Sequence, residues 1–197
     1  MGAPSPGHER FTYQEYLDLE AASQERHIFW DGEIFAMAGA TVKHYTVESN
    51  LHGLLFTALR GRSCRPYTGN RRLRAMDSER AVFADVVVVC GSMITHPEDA
   101  TATTNPTIVF EVVSKSTEAF DRGDKFTYYR MFPSLRSVVF VSQKAMHVER
   151  YIRGEDGAWS LRDIGPEGVL ELPEIGVRLA LKDVYDGVSG AEEDDAD

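Results

Sequence analysis

The stretch PTIVFEVVS (106–114) decides the fold, because it is a run of strand-forming residues with one acid, Glu111, at its centre. Apolar residues flank that acid on both sides, as is typical of a strand buried within a sheet. The stretch AVFADVVVVC (81–90) repeats the pattern with Asp85. The sequence therefore predicts two buried strands that each carry a single carboxylate.

Helical periodicity predicts three helices around these strands, in FTYQEYLDLE (11–20), from Thr41 to Leu59, and in TEAFDRGDKFTYYRMF (117–132). The dipeptide Asp31-Gly32 tolerates positive φ at both corners of a turn, so it predicts a β-hairpin. Further strands are predicted in the C-terminal third. This order of elements indicates an α/β (α+β) domain with a mixed central sheet flanked by helices.

Size and composition favour one globular domain. The chain has 197 residues, of which 43% are hydrophobic and 26% charged, which is typical of a soluble protein. We expect a disordered N-terminus at 1–10, a single domain at 11–189 and an acidic disordered tail at 190–197. No apolar segment suits a membrane or a secretory signal, so a cytoplasmic location is expected and no membrane partner.

The two cysteines, Cys64 and Cys90, lack the spacing and the histidine-rich surroundings of a zinc site. They are equally poor evidence for a disulfide framework. We therefore expect them to be buried thiols.

Charge is distributed unevenly along the chain. The net charge is −10, and the last seven residues hold five acids and no base. Between Arg60 and Arg80 the sign reverses, with seven arginines against two acids. A basic stripe of this kind meets phosphates or forms a solvated face. The densest part predicts nucleic-acid contacts by Arg71, Arg72 and Arg74.

The two strand acids point to metal chemistry. A carboxylate in an apolar strand costs several kcal/mol unless it is paired, hydrogen-bonded or bound to a metal. Each acid could pair separately with an arginine, but two such acids on adjacent strands favour a shared divalent cation, Mg²⁺ or Mn²⁺. Cleavage of a phosphodiester also needs a positive group nearby. Lys115, on the Glu111 strand, and Lys125, on the following helix, are the candidates.

At this point the chain resembles a known family. It is similar to the restriction-endonuclease-like superfamily, with its P-D…(D/E)-x-K pattern, and specifically to the bacterial branch called Uma-two, a group of endonucleases. The similarity spans nearly the whole folded part and lies in several short motifs: Asp31-Gly32-Glu33-Ile34, Ala38-Gly39-Ala40 with His44, Ala84-Asp85-Val86-Val87-Val88, Glu111-Val112-Val113-Ser114, Ser116-Thr117-Glu118, and Asp121-Arg122-Gly123-Asp124-Lys125-Phe126 with Tyr129-Arg130.

The resemblance implies a restriction-endonuclease-like fold and a nuclease-like domain at 11–189. It implies Asp85 and Glu111 as metal ligands, with the carbonyl of Val112 completing the set. The lysine is not two residues after the glutamate, where Val113 stands, and the resemblance places it at Lys125. It also adds Glu33 as a catalytic acid that binds a second metal or orients a water, with a solvated hairpin residue as the alternative.

Other matched positions have plainer interpretations. His44, near a helix start, is more typical of a cap or a surface residue. Tyr129 and Arg130 contact substrate, or Tyr129 lies in the core. The chain departs from the family pattern at Ala84 and Lys115, where proline is usual, and at Ser142, where an acid often follows.

The leading hypothesis is a Mg²⁺- or Mn²⁺-dependent endonuclease that cleaves phosphodiester bonds in nucleic acid, DNA first. The alternative is a non-catalytic DNA-binding or protein-interaction domain that retains the nuclease fold. A small-molecule-binding protein without metal leaves the two strand acids unexplained. A homodimer is possible, since one site per chain cuts two strands most simply as a two-fold pair.

Overall fold

The computed structural model describes residues 10–37, 39–69, 71–114 and 117–188. Lys115 lies outside these ranges, as do the acidic segment 190–197 and all but the last residue of segment 1–10. None of the helices within the described ranges has the length and hydropathy to cross a bilayer.

The first sheet carries the predicted hairpin. Its six strands lie in the order β2-β1-β5-β4-β8-β7. Asp31 (φ 51°) and Gly32 (φ 87°) form the hairpin turn, as their tolerance of positive φ predicts. The strands are β1 (His27–Trp30), β2 (Glu33–Ala36), β4 (Arg72–Leu73), β5 (Arg80–Phe83), β7 (Thr95–His96) and β8 (Asp99–Thr103).

The second sheet is the centre of the molecule. Its order is β12-β11-β10-β9-β6-β3, with β9 and β10 parallel and the other neighbours antiparallel. This is the mixed sheet that the sequence predicts. Its strands are β3 (Cys64–Thr68), β6 (Val86–Cys90), β9 (Ile108–Val113), β10 (Ser137–Ser142), β11 (Val148–Arg153) and β12 (Trp159–Ile164).

Helices cover both faces of this sheet. The N-terminal helix, whose Thr12 and Glu15 form a capping box, packs instead against the first sheet. A short hairpin, β13 and β14, and a 3-10 turn at Pro173–Ile175 complete the C-terminal part. The remaining elements are α1 (Tyr13–Ala22), α2 (Val42–Ala58), α3 (Glu118–Phe120), a π-helical turn (Asp121–Lys125), α4 (Phe126–Tyr129), β13 (Val169–Leu172), β14 (Val177–Ala180) and α5 (Leu181–Val184).

Alternation along β9 sets the direction of Glu111. Ile108, Phe110 and Val112 pack in the core on the α2 side. Val109 and Val113 pack with Tyr128, Tyr129 and Phe132, on the side of the helical crossover from β9 to β10. Because side chains alternate along a strand, Glu111 points toward the crossover.

The prediction of one strand in AVFADVVVVC (81–90) is wrong. The structure ends β5 at Phe83 and begins β6 at Val86, and the two strands belong to different sheets. Asp85 therefore lies at a bend between two sheets and not inside a strand. The apolar residues on both sides are buried in separate sheets, which is why the run looks continuous in the sequence.

The prediction of free thiols is also wrong, because Cys64 and Cys90 form a disulfide. They stand opposite each other in the antiparallel register of β3 and β6, with their Cα atoms 3.9 Å apart. Their separation of 26 residues is no guide to this, since the contact depends on which strands become neighbours.

A buried carboxylate, Asp99, fastens the first sheet to α1. It accepts hydrogen bonds from the Tyr13 hydroxyl (2.7 Å) and from Nε of Arg72 (2.8 Å). Burial by itself raises the pKa of Asp99, but bonds from Arg72, Thr101 and Tyr13 hold that pKa well below its usual range. The ionised carboxylate therefore stabilises the folded state.

Replacing Asp99 with Asn is expected to lower the free energy of unfolding at neutral pH by about 3 kcal/mol, because the half-buried Arg72 guanidinium loses its anion. The loss is expected to shrink in acid. A carboxyl whose pKa is lowered by folding contributes stability above its unfolded pKa of about 3.9, and that stability disappears as the pH falls. Urea unfolding of both proteins at neutral and acidic pH measures this. Glu171→Gln, in the exposed pair with Arg178, is the control, and an equal loss there would contradict the assignment.

The disulfide is expected to stabilise the fold by about 3 kcal/mol, on the loop-entropy model for a link of this sequence separation. Protein purified without reductant should resist thiol alkylation until it is reduced. Reductant should lower the melting temperature of the wild-type protein but not that of the Cys64→Ser/Cys90→Ser variant. Rapid alkylation of the folded, unreduced protein would show that the bond does not form in solution.

Candidate active site

Asp85 lies where the central sheet opens. The pairing of β6 with β9 ends at Val86 opposite Phe110, because the chain turns away at Asp85 toward the first sheet. The amide of Val112, further along β9, donates to Oδ2 of Asp85 at 2.6 Å. The carboxylate thus accepts the hydrogen bond of a backbone amide that has no partner strand on that side. Asp85 is held against the residue next to Glu111.

The other oxygen of Asp85 meets α2. Nε2 of His44 lies 3.1 Å from Oδ1 of Asp85. Glu48, one helical turn after His44, joins them, and one ligand atom from each of the three residues lies within 4.8 Å of the others. All three residues are half-buried. We call His44, Glu48 and Asp85 the ligand triad.

The electrostatics of the ligand triad favour a cation. Burial raises the pKa of Glu48, and the charge of Asp85 raises it further. Burial lowers the pKa of His44, but the hydrogen bond and charge of Asp85 outweigh this effect, so the net shift is upward. Two carboxylates are thus held close together, and they stabilise the protonated form of the neighbouring imidazole. One nitrogen and two oxygen donors at this separation fit a divalent transition-metal ion.

Glu111 lies in a second, drier cluster. Its side chain is 4% exposed, and its Oε1 accepts from Nζ of Lys125 at 2.7 Å and from the hydroxyl of Tyr129. Burial raises the pKa of Glu111, and the Lys125 ammonium opposes that rise. Burial lowers the pKa of Lys125, but the charges of Glu111, Asp121 and Asp85 outweigh burial and raise it. The ammonium is therefore held in its charged form.

A π-helical turn brings Lys125 to this position. The turn spans Asp121–Lys125, and the backbone amide of the next residue, Phe126, donates to the carbonyl of Asp121, five residues back. The turn is therefore wider than an α-helical one. Both end residues face inward, and Nζ of Lys125 lies 3.4 Å from Oδ1 of Asp121. The predicted helix 117–132 is confirmed as a helical segment, but its π-helical middle is not foreseeable from apolar periodicity.

The structure brings three of the four predicted catalytic residues to one region. Asp85, Glu111 and Lys125 are linked through the Val112 amide and by charge, because Asp85 acts electrostatically on both Glu111 and Lys125. Glu33 is different, since it lies on the edge strand β2 opposite Trp30 and is not part of the ligand triad.

The three predicted phosphate-binding arginines differ in their surroundings. Arg72 is paired with Asp99, and Arg74, which is buried, is paired with Glu98 at 2.9 Å. Arg71 donates to neutral oxygens, Oγ1 of Thr103 and the carbonyl of Ala100. Within the described ranges, Arg71 is therefore the member of this cluster whose charge no carboxylate neutralises.

Sequence reasoning missed two acids in this region, Glu48 and Asp121. Each stands four residues from a partner on a helix, Glu48 after His44 and Asp121 before Lys125. That spacing puts both members of a pair on one face of a helix, so it could have indicated from the sequence that each acid lies beside its partner. His44 was expected to be a cap or a surface residue, but the N-cap of α2 is Thr41. The half-buried His44 ring contacts Asp85 instead.

Comparisons with known proteins agree with this architecture. Residues 13–182 match the model of the Uma2 family, described as "Putative restriction endonuclease". An uncharacterised protein of Synechocystis sp., slr1290, is 31% identical over 190 residues, covering 95% of this chain and 97% of its own. A second one, sll1609, is 32% identical over 153 residues, covering 78% of this chain and 86% of its own.

A solved structure shows the same fold. The crystal structure of a protein from Anabaena variabilis, described as a putative nuclease belonging to DUF820, superimposes with a TM-score of 0.70. The alignment covers 88% of this chain and 98% of the other, at 14% identity. The predicted mixed sheet with flanking helices is thereby confirmed. The chain belongs to the Uma2 family, the branch that its sequence motifs resemble.

Proposed function

We propose that this protein is a metal-dependent endonuclease that hydrolyses phosphodiester bonds, with DNA as substrate. One observation carries the proposal: Asp85 belongs to the ligand triad and is also bonded to the strand that holds Glu111, which is the ion-pair partner of Lys125. A cation site and a held ammonium group therefore lie side by side. Positive charge from a metal ion and from an ammonium group both stabilise the negative charge that develops on a reacting phosphate.

His44, Glu48 and Asp85 would hold the metal ion. A divalent ion there supplies Lewis-acid stabilisation of the charge on a phosphate. Mg²⁺ prefers oxygen ligands, so the imidazole of His44 favours Mn²⁺ of the two predicted ions. Glu111 as a direct ligand stays a proposal and would have to use Oε2, because Oε1 accepts from Lys125 and Tyr129. The carbonyl of Val112 stays a proposed ligand as well.

Lys125 would supply the second positive charge. Its ammonium is held between Glu111 and Asp121 and stays protonated. In our proposal it faces the scissile phosphate, orients the attacking water and stabilises the charge that develops in the transition state. Tyr129 fixes the position of Glu111 and thereby that of the ammonium.

Within the predicted basic cluster, Arg71 would make the contacts with nucleic acid. Arg72 and Arg74 would have to leave carboxylate partners to bind a phosphate, whereas Arg71 would give up only neutral acceptors. Glu33 is retained as a proposed outer acid that orients water. Cleavage of both strands of a duplex would require two copies of the chain, one site for each strand.

The metal assignment is tested by thermal shift with Mn²⁺. The wild-type melting temperature should rise with Mn²⁺, because an ion that binds only the folded state stabilises it. Asp85→Asn and His44→Ala should abolish both this rise and the cleavage of plasmid DNA. Glu33→Gln is the matched control and should keep the rise. Cleavage by Asp85→Asn at the wild-type rate would show that the assignment is wrong, and a Mn²⁺ shift without cleavage would favour a non-catalytic DNA-binding domain.

The lysine assignment is tested by comparing Lys125→Met with Lys115→Met. Methionine keeps the apolar stem and removes the charge. In single-turnover cleavage, Lys125→Met should lose about 10²–10³-fold in rate with the Mn²⁺ shift retained, because no ammonium then stabilises the transition state. Lys115→Met should lose far less. The opposite ranking would move the catalytic role to Lys115, and equal tolerance of both changes would contradict a catalytic lysine.

A further inference from the structure

A cavity between the first turn of α2 and the loop that joins β10 to β11 is lined by two lysines. It has a volume of about 280 Å³, and its walls include Lys43, Gln143, Lys144, Met146 and Tyr185. Lys43 comes from the first turn of α2 and directly precedes His44. Lys144 comes from the loop between β10 and β11. We call this cavity the lysine pocket.

The lysine pocket is fastened to both halves of the candidate active site. The Thr41 hydroxyl, which caps α2 by accepting from the His44 amide, donates to Oε1 of Gln143 at 3.0 Å. The backbone amide of Gln143 donates to the backbone carbonyl of Val113, two residues after Glu111. One pocket residue thus bonds to the cap of the helix that holds His44 and to the strand that holds Glu111. A group bound in the pocket would be in fixed register with the site.

The charge of the lysine pocket is uncompensated. Neither Lys43 nor Lys144 lies within ion-pair distance of an acid among the residues described. Several cations elsewhere are paired, among them Arg72, Arg122 and Arg150. The pocket also adjoins the first turn of a 17-residue helix, whose dipole is positive at that end. An anion is the ligand that these charges favour.

We infer that the lysine pocket binds a backbone phosphate of the nucleic-acid strand, next to the phosphate that is cut. This inference rests on the proposed function. Both ammonium groups contact the phosphate as point charges, and Gln143 keeps the pocket in register with His44 and Glu111. Contacts of this kind position the strand and carry no base sequence. The pocket therefore contributes affinity and register for any nucleic-acid sequence.

The test is the salt dependence of DNA binding by a Lys43→Gln/Lys144→Gln variant. Binding of a fluorescent duplex is followed by anisotropy with a chelator present, over a range of salt concentrations. The slope of log K against log salt is negative, and its magnitude should decrease by about 0.9 for each phosphate that the variant no longer neutralises. Lys182→Gln, which removes one exposed charge that does not line the pocket, is the control and should leave the slope close to that of wild type. Each pocket lysine should also be changed singly, so that its effect is compared with the control charge for charge.

A second readout separates this inference from the proposed function. With Mn²⁺, the pocket variant should need about tenfold more enzyme to reach half its maximal single-turnover rate, with its plateau rate and Mn²⁺ shift retained. If wild type cuts DNA and the pocket variant matches Lys182→Gln in slope and in half-maximal concentration, the pocket inference alone is overturned. If wild type neither binds nor cuts DNA, both the inference and the proposed function are overturned. A variant that loses the Mn²⁺ shift along with binding would show that the substitutions act through the ligand triad and not on a phosphate, and this outcome would also overturn the inference.

Discussion

The hydrogen bond from the Val112 amide to Asp85 is the contact on which the site depends. It exists because the chain leaves the central sheet at Asp85, so that β9 extends past the end of β6 and one amide needs a partner. Asp85 provides it and is thereby held between α2 and β9. The ligand triad on one side and the Glu111–Lys125 pair on the other meet at this carboxylate. Without it the two clusters would have no direct bond between them.

Local features of the sequence were sufficient to predict much of the fold. The Asp31-Gly32 turn, the buried strand around Glu111 and the helical segment that carries Lys125 all follow from residue type and spacing. The bend at Asp85 does not, because its two flanks are equally apolar although they belong to different sheets. The disulfide between Cys64 and Cys90 depends on strand order, which no local pattern contains.

The candidate site was predictable in part for the same reason. Acids within apolar runs of the sequence are conspicuous because burial of a charge is costly, and this singled out Asp85 and Glu111. Glu48 and Asp121 lie in helical segments rich in polar residues, where an acid does not stand out in the sequence although Asp121 is buried in the structure. Arg72 and Arg74 show the converse: arginines dense enough to suggest a binding surface are paired with Asp99 and Glu98. Composition locates charge along the chain, but pairing is decided in three dimensions.

The π-helical turn separates the lysine from the strand that holds the glutamate. When a lysine stands two residues after a strand acid, the pleat of that strand fixes their relative position. No residue can then be inserted between them without moving the lysine to the other face. Here Val113 occupies that place in the apolar core, and Lys125 comes from the helical crossover between β9 and β10. Insertions in the connection between β9 and α3 would then be tolerated so long as the helix docks in the same place. Sites built this way would escape searches for a fixed acid-to-lysine spacing, although the same charges meet in space.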